Sequence, residues 1–291
     1  MPEAIRIENA FLTVEVSPLG AETQSIVTSD GRSWLWHGDP AFWAGRAPIL
    51  FPIVGKAPYD RLTIGGEPFA MNQHGFARRS TFALIEHSGD FCRYELAAND
   101  ETRSQYPFDF RLSVEHRLEG AKLTVSVTVT NQVETSMPFG FGFHPAFAWP
   151  LPGAEGHHHH EILLDNGAEP ALSRLEGGLR RPALLPSPFR KGRLALDPAL
   201  FVEDAMIFPE GAGSSLIYRA EDGPELHFTF ENLPNLALWT KPGAPYLCIE
   251  PWHGTAPIIG TGAAIEDRPS TLVLGAGEKS RFAYSVTFPA A

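Results

Sequence analysis

Apolar and polar residues alternate with a period of two through most of the chain. In 108–118, Phe108, Phe110, Leu112, Val114, His116 and Leu118 share one face, and Asp109, Arg111, Ser113, Glu115 and Arg117 share the other. Leu123, Val125, Val127 and Val129 alternate in the same way with Thr124, Ser126, Thr128 and Thr130. Near the C-terminus Phe282, Tyr284, Val286 and Phe288 alternate with Arg281, Ala283, Ser285 and Thr287. Successive strand side chains point to opposite faces, so each run predicts a strand with one buried and one wet face. The pattern predicts further strands near 5–7, 11–17, 22–28, 81–87, 92–98, 214–220, 225–231, 235–240 and 271–275. Turn sequences such as Ser29-Asp30-Gly31, Gly65-Gly66 and Glu221-Asp222-Gly223 separate them. Only two short helices are expected, 39–44 after Asp39-Pro40 and 197–202 after Asp197-Pro198. So many one-sided strands must cover their apolar faces against another sheet, which predicts an all-β fold, a large antiparallel β-sandwich with few short helices. Residues 150–195 read as long loops with short strands, and no linker interrupts the chain, so 1–291 is expected to be one domain.

Composition narrows the function classes. With 43% hydrophobic and 20% charged residues in 291, the chain has enough apolar material for a sizeable core. The 23 basic and 34 acidic side chains give a net charge of −11, with no Lys/Arg cluster, which argues against a nucleic-acid partner. No apolar run approaches the ~20 residues that cross a bilayer, and the N-terminal MPEAIRIENAFLTVEV lacks a basic stretch followed by an apolar core. Neither a membrane partner nor secretion by that route is expected. Cys92 and Cys248 are the only cysteines, too few for a disulfide framework, which fits a reducing cytoplasm.

Four segments break the alternation with polar or backbone-special residues. Gly45-Arg46-Ala47-Pro48-Ile49-Leu50-Phe51-Pro52-Ile53-Val54-Gly55-Lys56 sets two cations around an apolar stretch whose prolines forbid a regular central strand. Its alternative reading is a buried connection. In Asn72-Gln73-His74-Gly75-Phe76-Ala77-Arg78, the glycine beside His74 would let a ligand approach the backbone, and Arg78 adds a donor fork. In Met137-Pro138-Phe139-Gly140-Phe141-Gly142-Phe143-His144-Pro145, the Met and Phe residues face a core if the segment is extended. The opposite face is then bare except for the His144 imidazole, and such glycines mark the close approach of a ligand or another backbone. In Tyr246-Leu247-Cys248-Ile249-Glu250-Pro251-Trp252, Leu247 and Ile249 face inward, and Glu250 stands beside Trp252 at a strand end. A carboxylate next to an indole suits a sugar, whose hydroxyls meet the acid and whose C–H groups meet the ring; the bland alternative is a surface Glu on an edge strand. Asp204 precedes an apolar strand, where a cap is the usual role. His157–His160 reads as a solvated loop, because four adjacent His cannot converge on one tetrahedral centre and no Cys or His accompanies them at ligand spacing.

Taken in order, these segments resemble the aldose 1-epimerase (galactose mutarotase-like) family, in particular its short bacterial members. The resemblance rests on Pro48–Gly55, Asn72–Arg78, Phe141–Phe147, Asp204 and Cys248–Trp252, and runs over nearly the whole chain. It implies a β-supersandwich fold and interconversion of the α and β anomers of a free sugar without metal or cofactor. It implies Glu250 as general base, His144 as general acid, His74 as a second imidazole near the ring oxygen, and Asp204 as the acid holding sugar hydroxyls. Where the family has a sugar-contacting Arg this chain has Lys56, leaving Lys56, Arg46, Arg61 and Arg78 as candidates for that contact. Trp36 and Trp252 are the candidate aromatic contacts.

Ring opening needs a proton removed from the anomeric hydroxyl and another delivered to the ring oxygen, and a carboxylate and an imidazolium on opposite sides of the sugar could do both. At ordinary values of ~4.3 and ~6.5, the Glu⁻/His⁺ pair is most populated between them, which predicts a bell-shaped pH profile. The expected partner is a monosaccharide, a hexose or a hexose phosphate. A hexose-6-phosphate 1-epimerase would use Arg46, Lys56, Arg61, Arg78 and Arg79 for the phosphate, whereas a non-catalytic carbohydrate-binding protein would not need Glu250 and His144 as a pair. A metal-dependent sugar isomerase is disfavoured by the absence of a ligand set.

Overall fold

The computed structural model describes residues 3–289 apart from 155, 157 and 158. The longest alternating runs pair as antiparallel neighbours. Phe110–Glu119 and Lys122–Asn131 lie side by side with Val114 opposite Val127, and Lys279–Thr287 flanks the second with Phe282 opposite Val127. Six more strands extend this sheet to nine, in the order Arg193–Ala195, His160–Leu164, Ser215–Ala220, Glu225–Glu231, Lys279–Thr287, Lys122–Asn131, Phe110–Glu119, Phe91–Ala97, Ala83–His87.

A second sheet runs Met206–Phe208, Asn235–Trp239, Tyr246–His253, Phe141–Phe143, Ile49–Leu50, with Ala146–Ala148 also paired to Tyr246–His253. The apolar faces of the two sheets meet through aromatic rings. Phe141 stacks on Phe282 at 4.6 Å, Phe143 meets Tyr284 edge-on at 4.9 Å, and Phe147 meets Phe228 at 5.0 Å. Aromatic pairs of this kind add to the area they bury, which fixes the two layers in one relative position. A three-stranded sheet, Ile5–Glu8, Leu12–Ser17 and Glu22–Thr28, adds Ile7, Val14 and Ile26 to the same core.

The short elements differ from expectation. Residues 39–44 form a single turn, in which the N–H groups of Phe42 and Trp43 both donate to the Asp39 carbonyl. Gly45 follows the turn and leaves room for the Trp43 indole, which a Cβ at that position would meet at 2.5 Å. The 197–202 segment is a 3₁₀ turn, Pro198–Phe201, in which the Ala199 N–H is capped by the Asp197 carboxylate. One helix, Asp100–Gln105, escapes the sequence pattern; Asn99 and Thr102 cap each other reciprocally, and too few turns follow to show an apolar period. His160 begins a strand of the large sheet and is buried, which corrects the solvated-loop reading at that position; His159 is exposed against Glu221, and 157 and 158 lie outside the described residues. Both cysteines are free thiols and buried. Among the described residues no helix is long and apolar enough to cross a membrane.

Candidate active site

The Tyr246–His253 strand explains where the site lies. It is a central strand, bonded to Asn235–Trp239 on one side and to Phe141–Phe143 and Ala146–Ala148 on the other. Leu247 and Ile249 enter the inter-sheet core, while Tyr246, Cys248, Glu250 and Trp252 point the other way. Loops fold over that outer face and enclose a cavity of about 650 Å³, within the range typical of small-molecule sites. Glu250, Trp252, Trp239 and Ile207 rise from the sheet; Trp43, Lys56, His74, Arg78, Asp204 and the Gly177–Gly178 turn come from the loops. Glu250 is only 2% exposed, so the surface-carboxylate alternative is overturned.

His144 reaches the same cavity from the loop after Phe141–Phe143. Ala146 pairs with Cys248, and running that register on by two residues sets His144 beside Glu250. Nε2 of His144 is 3.1 Å from Oε2 of Glu250. This contact is not a hydrogen bond, and Glu250 Oε2 and His144 Nδ1 are both buried without hydrogen-bond partners. Trp43 and Trp239 flank the imidazole at 4.9 and 5.9 Å. Burial pushes the Glu250 carboxyl well above its ordinary range and the nearby Asp204 charge adds to this, while Arg78 opposes it. Burial likewise holds His144 well below its ordinary value, with His74 and Arg78 adding to the effect. Burial therefore disfavours charge on either group, and polar contacts from a bound sugar would favour it.

His74 has a different character. Its Nδ1 accepts the Gly55 N–H at 3.1 Å, so in the neutral ring the hydrogen sits on Nε2. Burial, and then Arg78, Arg79 and Arg268, hold its pKa at about 3. His74 is thus a neutral donor rather than an acid. The neighbouring glycine has a local cause too: Gly75 has φ +71° and a Cβ there would lie 2.0 Å from the Phe51 carbonyl oxygen, so the close approach is made by the chain itself and not by a ligand. The bare face of 138–144 has a similar explanation. A Cβ at Gly142 would meet the Trp252 indole at 2.5 Å, which leaves His144 as the only group of that face lining the cavity.

The cationic candidates separate cleanly. Arg78, in the 3₁₀ turn Ala77–Arg79, lines the cavity, and among the described residues its guanidinium has no hydrogen bond or ion pair. Lys56 also lines the cavity, with Asp60 3.7 Å from its ammonium. Arg46 does not line it; its guanidinium is tied to the His37 carbonyl and the Gln24 side chain. Arg61 is an exposed strand residue away from the cavity. Asp204 lines the cavity with φ +68° and also accepts the Ala205 N–H, so it both caps the next strand and faces the site. Trp252 lines the cavity, but Trp36 lies behind it, packed on Tyr246 at 4.9 Å and donating its indole N–H to the Trp43 carbonyl. Trp36 positions the aromatic wall while Trp43 and Trp239, which no sequence pattern singled out, supply it.

Arg268 was also not legible in advance. It is buried with no carboxylate, donating to the carbonyls of Val54, Lys56 and Thr255, and so clamps the loop that presents the Gly55 N–H to His74. Burial lowers its pKa to about 10, which leaves it charged near neutrality.

With this geometry in view, the known relatives can be weighed. A family model described as Aldose 1-epimerase matches residues 3–266. The chain is 32% identical to the chromosomal protein LacX of Lactococcus lactis subsp. lactis over 300 residues, covering 97% of this chain and 98% of that one. It is similar in structure to a galactose mutarotase related enzyme from Lactobacillus acidophilus, with TM-score 0.92, 28% identity and 99% and 98% of the two chains covered. A galactose mutarotase-like protein from Lactobacillus casei gives TM-score 0.91 at 28% identity, with 99% and 100% covered. The match to the family model spans most of the chain, and the fold repeats that of galactose mutarotase-like proteins; the chain belongs to the aldose 1-epimerase family.

Proposed function

We propose that the protein interconverts the α and β anomers of a hexose, with Glu250 as general base and His144 as general acid, in the cytoplasm and with residues 1–291 acting as one domain. The observation that carries this is the contact of 3.1 Å between a buried carboxylate and a buried imidazole that share one cavity. The hydroxyl oxygen and the ring oxygen of a pyranose are both bonded to the anomeric carbon. The two groups that serve them can therefore be neighbours, as Glu250 and His144 are, and need not stand on opposite sides of the ring.

In the proposed reaction Glu250 takes the proton of the anomeric hydroxyl and His144 delivers one to the ring oxygen. The bond between anomeric carbon and ring oxygen breaks, leaving the open-chain aldehyde. Rotation about the next carbon–carbon bond presents the other aldehyde face. The protons then return by the same route and the ring closes. The pair carries one shared proton throughout, so the rate should fall at low pH, where it takes up a second, and at high pH, where it loses the first. His74 donates its Nε2 hydrogen, Asp204 and Arg78 hold hydroxyls, and Trp43, Trp239 and Trp252 pack on the sugar's C–H faces. The test is the relaxation of freshly dissolved α-glucose or α-galactose followed by polarimetry. Acceleration over buffer supports the reading, and an unchanged rate marks a binding protein.

Lys56, Arg78 and Arg79 favour a second reading, in which the hexose carries a 6-phosphate. Comparing rates on a sugar and on its 6-phosphate decides between the two.

A further inference from the structure

The outer face of the Tyr246–His253 strand holds one more arrangement that anomer exchange does not need. Cys248 and Glu250 are two residues apart on that face, and His144 is their neighbour across the strand pair. One donor atom from each, the Cys248 sulfur, a Glu250 oxygen and a His144 nitrogen, lies within 4.8 Å of the others, and all three residues are buried. Tetrahedral zinc, at ~2.0–2.3 Å from its nitrogen, oxygen and sulfur ligands, needs donors about 3.3–3.7 Å apart. The present separations need about 1 Å of side-chain adjustment to reach that spacing. Glu250 lines the cavity and its buried Oε2 has no hydrogen-bond partner, so a donor is already stripped of competing bonds.

We propose that His144, Cys248 and Glu250 form a binding site for a thiophilic divalent cation such as Zn²⁺, and that the bound ion blocks the acid–base pair. The donor set is of the kind zinc takes in open sites, three protein ligands with one position left over, and two of the three, His144 and Glu250, line the cavity. Magnesium, which demands oxygen ligands in an octahedron, does not fit it. Binding replaces the sulfur–hydrogen bond with a sulfur–metal bond and releases the thiol proton to solvent. The lone pairs of Glu250 and His144 are then engaged by the ion and can no longer exchange protons with a sugar. Spacing along the chain hides the site, because the register of neighbouring strands brings the donors together. The blocking effect, though not the binding, rests on the proposed roles of Glu250 and His144.

The test uses the full chain, freed of metal with a chelator and titrated with Cd²⁺, whose bond to thiolate absorbs in the ultraviolet. One equivalent should bind with that absorbance in the wild type, and the absorbance should vanish in Cys248→Ser and Cys248→Ala. Zn²⁺ should slow anomer exchange and a chelator should restore it, with Mg²⁺ inert at the same concentration. Each variant should raise the Zn²⁺ concentration for half-inhibition by at least the ~10–100-fold that losing even an outer-shell partner costs. Absorbance that persists without Cys248, or no stoichiometric binding by the wild type, would overturn the site. Cd²⁺ bound through Cys248 with exchange unaffected by Zn²⁺ would overturn the block. If the wild type shows no anomer exchange at all, the cadmium absorbance still decides the site, and the catalytic reading fails separately.

Discussion

Two buried histidines divide the molecule's chemistry. His116 lies on an interior strand of the nine-stranded sheet, opposite Cys92 on one side and Val125 on the other, and is 1% exposed. His144 lies on the outer face of the smaller sheet and is nearly as buried, at 7%. Desolvation leads the downward pKa shift of both. Their neighbours differ. His116 has a Thr23 hydroxyl at 3.2 Å and no cavity lining, whereas His144 has the Glu250 carboxylate at 3.1 Å, two indoles and a cavity of about 650 Å³. A perturbed histidine is therefore not by itself a functional one; an acid partner and room for a ligand make the difference.

Substitutions at the two sites should separate sharply. His144→Gln should lower kcat/KM by ~10²–10⁴-fold, the usual worth of a positioned acid. Combining it with Glu250→Gln should cost little more than either change alone, because the two act as one unit; an additive loss would break the pairing. Arg78→Ala should cost roughly 10-fold in kcat/KM, the value of a charge-assisted hydrogen bond. Arg78 lowers the Glu250 pKa, so the acidic limb of the pH–rate profile should move to higher pH in that variant. A limb that stays put would show that the Arg78 charge does not act on the carboxylate.

His116→Leu should leave kcat/KM unchanged within a few-fold and act on stability instead. The His116 pKa is about 3 folded against 6.5 for the free side chain. Its contribution is therefore complete above pH ~6.5 and is lost as pH falls toward 3, by about 1.4 kcal/mol per pH unit for one proton. Urea unfolding at two acidic pH values should show the variant losing that much less per unit than the wild type. The smallest effect is expected at Trp36. Trp36→Phe removes the hydrogen bond to the Trp43 carbonyl at a cost of about 1 kcal/mol and changes kcat/KM by less than a few-fold. A large loss of turnover there would put Trp36 in the sugar site after all.

Strand alternation made the sheets legible in detail. The predicted 22–28 and 225–231 coincide with the observed Glu22–Thr28 and Glu225–Glu231 strands, because each strand carries its inside and outside in its own sequence. The same logic placed Glu250 opposite Leu247 and Ile249. It could not say which loops would close over that outer face. Trp43 therefore carries no signal that sets it above Trp36, seven residues earlier, and nothing in the spacing of Arg46 shows that it turns away to His37 and Gln24. The glycines at 75 and 142 signalled close approach correctly, but what approaches is Phe51 and Trp252 of the same chain. Arg268 was invisible for the opposite reason. A lone Arg in a loop has no pattern until the carbonyls it holds, 214 and 212 residues earlier, are brought to it.

The central claim is that the buried Glu250 carboxylate moves the proton of the anomeric hydroxyl. The most direct measurement is the polarimetric relaxation of freshly dissolved α-glucose and α-galactose with wild-type and Glu250→Gln protein of matched circular dichroism and thermal unfolding. The account predicts acceleration by the wild type and a loss of ~10²–10⁴-fold in the variant. A well-folded Glu250→Gln protein with wild-type turnover would contradict it.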